Sequence, residues 1–147
     1  MQEVFKKIAL VASTNMSVVI SGESGTGKEL VARAIHRHSQ RANLPLVAIH
    51  LATLSPTLVE SELFGHVRGA YTGADHDRPG LLEMAHEATA FFDEAADIPP
   101  LVQVKLLRVL EQREVTPVGS TRPKPCDFRV IVATNGDLRQ RIAEGAF

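Results

Sequence analysis

The chain has 147 residues, 44% of them hydrophobic, the size and composition expected of one soluble globular domain or most of one. Its 16 basic and 17 acidic residues leave a formal net charge of −1, so nothing global draws it to nucleic acid or to an anionic membrane. With one cysteine it forms no intrachain disulfide, and with one tyrosine and no tryptophan it offers no stacking platform for single strands.

From the N-terminus, Val4, Phe5, Ile8 and Val11 recur at helical spacing and predict an amphipathic helix over 2–12. SVVIS at 17–21 predicts a short apolar strand, glycines punctuate 22–27, and 28–40 returns to helical periodicity through Leu30, Ala34 and Ile35. A second cycle follows: a strand at 46–51, then a helix over 55–65 with Ser55 as its cap and Pro56 at its first position. Residues 65–80 carry four glycines and no sustained period, a long excursion of the kind kept for binding or gating. Helix is expected again over 80–88, strand at 89–93, helix over 99–114 behind two prolines, strand at 127–134 and helix over 137–145. Strands apolar on both faces, alternating with helices, predict a doubly wound, mainly parallel α/β sheet with helices on both faces. No apolar run reaches the roughly 20 residues of a membrane span and the N-terminus lacks a signal peptide, so a cytoplasmic protein is expected. In that reducing setting the lone Cys126, with no zinc-like cluster near it, is expected to be inert.

Gly22, Glu23, Ser24, Gly25, Thr26, Gly27 and Lys28 form the pattern GxxxxGK between a predicted strand and a predicted helix. Glycines there permit a tight turn that aims several backbone N–H groups at one anion; the helix start adds its positive dipole end, and the Lys28 ammonium reaches outer phosphates. The following position is usually Ser or Thr, whose hydroxyl meets Mg²⁺, and here it is Glu29. Metal coordination therefore leans on Asp93 and Glu94, two carboxylates delivered at the end of the 89–93 strand, the end where ligands bind in such sheets. Asp93 would hold Mg²⁺ and Glu94 would polarise the water that attacks the γ-phosphate of ATP. Thr134 and Asn135 end another strand at the same edge and could orient that phosphate, although Asn135-Gly136-Asp137 is also ordinary turn chemistry.

GESGTGKELVARAIH (22–36), ESELFGH (60–66), GAYTGA (69–74), FFDEAADIP (91–99), LLRVLEQRE (106–114) and RVIVATNGDL (129–138) together resemble the central AAA+ domain of sigma-54-dependent transcriptional activators, the bacterial enhancer-binding proteins. The resemblance covers essentially the whole chain and implies a P-loop NTPase (AAA+) fold that binds and hydrolyses ATP with Mg²⁺. It also makes Glu29 an ordinary residue for its position. Gly69, Ala70, Tyr71, Thr72, Gly73 and Ala74 differ from the family's GAFTGA loop only in Tyr for Phe; in the family this loop contacts the sigma factor, at positions matched by Tyr71 and Thr72. The implied partners are the sigma-54 RNA polymerase holoenzyme and neighbouring subunits of a homo-oligomeric ring, most simply a hexamer. Small residues around Tyr71 suggest a hinge presenting one aromatic ring outward, and Glu62 and His66 flank its base.

Three features depart from the family. His50 stands where an asparagine usually restrains the catalytic glutamate, so His50 is expected to act as a switch on Glu94. Glu87-Ala88 replaces a usual Gly-Gly. The chain also stops at Phe147, as expected of a piece cut from a larger protein, before the family's arginine fingers and helical lid. Neither the receiver or sensing domain nor the helix-turn-helix domain of the family falls within it, so direct DNA binding is not expected. Two other readings stay open: a hydrolysis-deficient, nucleotide-dependent regulatory module, and another AAA+ remodelling ATPase, against which the GAYTGA loop speaks. His36 and His38, and Arg33 and Arg37, are expected on helix surfaces. Because an arginine finger is worth about 10³–10⁵ in rate in related phosphoryl transfers, residues 1–147 alone are expected to bind nucleotide weakly and scarcely turn it over; protein-concentration-dependent ATPase activity, abolished by Glu94→Gln, would contradict this.

Overall fold

A computed structural model of the chain describes residues 2–22, 27–50 and 55–134. Its elements run α1 (Gln2–Ala12), β1 (Val18–Ser21), α2 (Lys28–Arg37), β2 (Leu46–His50), α3 (Pro56–Phe64), α4 (Leu81–Met84), β3 (Thr89–Asp93), α5 (Pro100–Gln112), β4 (Glu114–Val115), β5 (Lys124–Pro125) and β6 (Arg129–Thr134), with a 3-10 turn at Ala95–Asp97. β1, β6, β3 and β2 lie side by side in that order, every neighbouring pair parallel. β3 is therefore flanked on both sides, and its register is set twice: Phe91 opposite Ala48 of β2 and opposite Ile131 of β6. No described helix is long and apolar enough to cross a membrane.

Successive side chains of a strand point to opposite faces, so the adjacent Phe91 and Phe92 enter two different cores. Phe91 packs with Ile8, Ala12, Ala32 and Ile35 from α1 and α2, and with Ile131 and Ala133. Phe92 joins Ile49, Val59, Leu63, Leu82, Val102 and Leu106, contributed by β2, α3, α4 and α5. This two-sided burial is why the inner strands β3 and β6 read as continuous apolar runs rather than alternating ones, while β1 at the sheet's edge leaves Val19 exposed. Each fully buried side chain of this size contributes about 1.5–3 kcal/mol relative to exposure. Arg129, only 2% exposed, fastens α1 to the sheet: its guanidinium donates to the carbonyls of Val11, Ala12 and Met16. A cation at the C-terminal end of a helix satisfies carbonyls that have no partner within the helix.

Most predicted elements are present within a few residues; two expectations need correction and one small pair of strands is additional. The helix expected over 80–88 stops at Met84 after one turn, because Glu87 enters the left-handed region (φ 66°) and turns the chain into β3, its N–H donating to the Asp127 carbonyl at 2.6 Å. The small β4–β5 hairpin was not expected. His36 is buried rather than on a helix surface: its two ring nitrogens reach Thr89 Oγ1 (3.0 Å) and the Leu44 carbonyl (2.7 Å), which joins α2 to the start of β3 and to the chain entering β2. Arg33, ion-paired to Glu29 at 3.1 Å, and Arg37 are exposed as expected. Ser55 does cap α3, accepting from the Leu58 N–H at 3.5 Å. The helix expected over 137–145 lies outside the described residues.

Two outcomes follow from this packing. A left-handed conformation costs a residue with a Cβ about 1 kcal/mol or somewhat more and costs glycine almost nothing, so Glu87→Gly should raise the unfolding free energy by about 1 kcal/mol in a denaturant titration; a loss of stability would contradict the assignment. Cys126 is buried with its thiol 3.2 Å from the Leu82 carbonyl, and burial first, then the charges of Glu83 and Asp127, push its pKa from the ordinary 9.0 up to about 12. The folded chain then holds the thiol proton more tightly than the unfolded chain, so this contribution to stability is complete below pH 9 and lost as pH rises toward 12. At pH 8 a disulfide-exchange reagent should modify Cys126 only after denaturant is added; equal labelling rates with and without denaturant would refute the burial argument.

Candidate functional site

β1 ends at Ser21, and the Gly22 N–H donates to the Thr134 carbonyl at 3.2 Å, so Gly22 lies at the C-terminal edge of the sheet beside the end of β6. Gly27, at φ 81°, turns the chain into α2, a conformation that favours glycine. Lys28, the first residue of α2 and only 8% exposed, folds back: its Nζ donates to the Gly22 carbonyl at 2.9 Å and lies 3.5 Å from Glu94 Oε1. β3 ends at Asp93, and Glu94 follows in the left-handed region (φ 56°, ψ 52°), which swings its carboxylate toward Lys28. Thr134, buried, closes β6 in register with Ser21.

Gly22, Gly27, Lys28, Asp93, Glu94 and Thr134 are thereby gathered at one edge of the sheet. An open cleft of about 610 Å³ lies among Gly27, Lys28, Glu29, Leu30, Arg33, Asp93 and Glu94. Glu23, Ser24, Gly25, Thr26 and Asn135 lie outside the described residues. For His50, expected from the sequence as a switch on Glu94, the structure gives a contact one residue earlier: its Nδ1 lies 3.3 Å from Asp93 Oδ2. Register explains this, since His50 and Asp93 are direct neighbours in the parallel β2–β3 pair. Chemically the edge holds one ammonium at a helix start and two carboxylates, complementary to a phosphate chain carrying a hard cation. Among the described residues no group of three or more His, Cys, Asp and Glu side chains could hold a metal alone. Asp93 and Glu94 are carboxylates at this edge that could hold a hard cation together with phosphate oxygens and water.

The segment after α3 forms a second feature. Gly65 (φ 78°) ends the helix, and His66 pairs through its backbone with Arg78, its N–H and carbonyl both engaged, and bridges to Val118. Within the loop Gly69 N–H donates to the Ala74 carbonyl (2.9 Å), Ala74 N–H to that of Tyr71 (3.0 Å), and Arg68 N–H to Asp77 Oδ1 (2.7 Å). Tyr71 is not presented outward as expected. It is half-buried, its ring edge-on to the buried His66 ring at 5.0 Å and 73°, because the tight Gly69–Ala74 turn folds it back toward α3. Thr72 and Gly73 form the exposed tip, and Ala74 is buried. Glu62 at the base pairs with Arg78 at 3.3 Å. Sequence reasoning missed two supports. Ser61 lies 2.6 Å from His66 Nδ1, and Gly119 approaches Ala70 so closely that a Cβ there would lie 2.7 Å from the Ala70 Cβ. The glycine at 119 was the one available signal for the second.

The family model described as the Sigma-54 interaction domain matches residues 1–147, the whole chain. The DNA-binding transcriptional regulator NtrC of Bradyrhizobium sp. (strain RP501 Parasponia) is 50% identical over all 147 residues, which span 31% of that protein's length. Among solved structures, NtrX from Brucella abortus in complex with ATP is 43% identical with a TM-score of 0.90, covering 100% of this chain and 31% of that one. The P-loop NTPase domain of the E. coli sigma-54 transport activator, 16% identical with a TM-score of 0.62 over 97% of this chain and 82% of that domain, shares the fold. With its parallel sheet, its GxxxxGK sequence motif and its match to the family model from end to end, the chain belongs to the sigma-54 interaction domain family and has the P-loop NTPase fold.

Proposed function

We propose that this chain is the ATP-binding and ATP-hydrolysing core of a sigma-54-dependent transcription activator, and that its 69–74 loop remodels the sigma-54 RNA polymerase holoenzyme. The observation that carries the reading is the convergence of Lys28, Asp93, Glu94 and Thr134 on one sheet edge, with a Gly-flanked loop tip at Thr72. Support for the ligand comes from the ATP complex of the related NtrX.

In this account the Lys28 ammonium exchanges its contact with Glu94 for the outer phosphates, while the loop amides from Gly22 to Lys28, with Glu23, Ser24, Gly25 and Thr26 between them, cradle the chain of phosphates. Asp93 holds Mg²⁺, which when bound neutralises charge developing on the phosphate oxygens. Glu94, relieved of Lys28, orients and polarises the attacking water, and Thr134 and Asn135 register the γ-phosphate. Thr72 and Tyr71 carry the contact to sigma-54. A ring of identical subunits, a hexamer by family resemblance, supplies the rest of the catalytic charge; the setting is cytoplasmic, and DNA is reached through other parts of the protein.

The His50–Asp93 contact favours one competing reading, a module that binds nucleotide without hydrolysing it, since a base on Asp93 could compete with the cation. Turnover by the full-length protein separates the two. There, Lys28→Ala should abolish nucleotide binding, and Glu94→Gln should keep binding but lower turnover by about 10²-fold or more, the usual worth of a general base. Thr72→Ala should keep ATPase activity while losing open-complex formation. Undiminished open-complex formation by the Thr72 variant would sink the loop assignment, and absence of turnover in the unmodified full-length protein would favour the hydrolysis-deficient module.

A further inference from the structure

We propose that Ser61 and His66 are positioning residues that latch Tyr71, and with it the 69–74 loop, against the end of α3. The loop's purpose rests on the reading above; the latch itself rests on geometry.

His66 is fixed from two sides. Its N–H donates to the Arg78 carbonyl at 2.9 Å and its own carbonyl accepts from the Arg78 N–H at 2.8 Å, while its other flank bridges to Val118. Its ring is buried, 5% exposed overall, and Ser61 Oγ stands 2.6 Å from Nδ1. The same Ser61 Oγ lies 3.5 Å from the Tyr71 hydroxyl, and the Tyr71 ring meets the His66 ring edge-on at 5.0 Å. Three polar groups therefore form a line: Tyr71 O–H can donate to Ser61 Oγ, whose own hydrogen goes to His66 Nδ1, or the order reverses with the histidine tautomer. The distance of 3.5 Å is at the outer limit for a hydrogen bond between hydroxyls, so the ring-edge contact holds more of the loop than the hydroxyl does.

The moving side is built differently from the anchor. Gly69 (φ 83°) and Gly73 (φ 95°) bracket Tyr71, and a Cβ at either would have nothing within 4 Å. These glycines are there for backbone conformation and not for close packing, as hinge positions require. A rigid anchor facing a loop between two such glycines is a two-position device: ring on His66, or ring released. A phenylalanine at 71 would keep the ring contact and lose the hydroxyl, so the tyrosine of this chain tightens a latch that the ring alone would close more weakly.

Tyr71 is the chain's one tyrosine and tryptophan is absent, so intrinsic fluorescence excited beyond the phenylalanine absorption band reports this ring alone. Acrylamide should quench Tyr71 less than it quenches free tyrosine amide. Ser61→Ala and His66→Ala should raise the open-loop population by about two- to tenfold, the effect of losing one net hydrogen bond or comparable contact, while Ser61→Thr should stay at the original value. If circular dichroism shows the Ser61→Ala or His66→Ala protein unfolded, amide exchange at Gly69, Ala70 and Ala74 in folded loop variants decides: it should accelerate modestly in Tyr71→Phe and more in Tyr71→Ala. Quenching of the unmodified chain equal to free tyrosine amide, quenching unchanged by both anchor substitutions, or exchange unchanged in Tyr71→Ala would overturn the latch. These readouts need neither nucleotide nor sigma-54, so a failed latch leaves the partner reading standing, and a failed Thr72 test leaves the latch standing.

Discussion

The register of β3 between β2 and β6 is the constraint from which the rest of the structure follows. Phe91 and Phe92 fill opposite cores, and a slip of one residue would exchange their faces and expose both cores to misfit. That same register ends β3 at Asp93 beside the end of β6 and opposite His50, with Glu94 turned toward Lys28. Hydrophobic burial, with no polar contribution of its own, thus decides which carboxylates meet which ammonium.

The charged groups of the site are tied to one another. Lys28 is tied to the Gly22 carbonyl and to Glu94, and His50 lies on Asp93, so the charged groups that would meet a nucleotide and its cation already have protein partners. Glu94 occupies a left-handed conformation that costs a non-glycine residue about 1–2 kcal/mol, strain of the kind found at functional sites. Ligand binding in such a site exchanges one set of charge contacts for another, which makes its affinity depend on what the displaced partners gain elsewhere. The loop at 69–74 has the same character: a fixed histidine on one side, glycines on the other.

Much of this was readable because it is local. Strand, glycine turn and helix at 17–40 carry their own periodicities, the GAYTGA run carries its own glycines, and Phe91-Phe92-Asp93-Glu94 announces a buried strand ending in charge. What escaped depends on partners distant in sequence. His36 reads as a surface residue because its two hydrogen-bond partners, the Thr89 hydroxyl and the Leu44 carbonyl, lie outside its own helix. The short α4 reflects a left-handed Glu87, for which the glycine usual at that position in the family is a signal while the apolar spacing of 80–88 still reads as helix. β4 and β5 have two residues each, too few to show alternation. The contact between His50 and Asp93 depends on the β2–β3 register, which joins residues 43 positions apart. Tyr71 was read as outward-facing because nothing in the run 69–74 shows the Ser61 and His66 side chains waiting behind it.

The central claim is that ATP and Mg²⁺ bind at the C-terminal edge of the sheet, against Lys28 and the Asp93–Glu94 turn. Backbone amide NMR of the chain, recorded through a titration with a slowly hydrolysed ATP analogue and Mg²⁺, tests it most directly. The account predicts shifts concentrated at Gly22, Gly27–Glu29, Asp93, Glu94 and Thr134, and their loss in Lys28→Ala. Shifts centred instead on the polar cavity at the opposite end of the strands, lined by Arg41, Arg113 and Arg129, would contradict it.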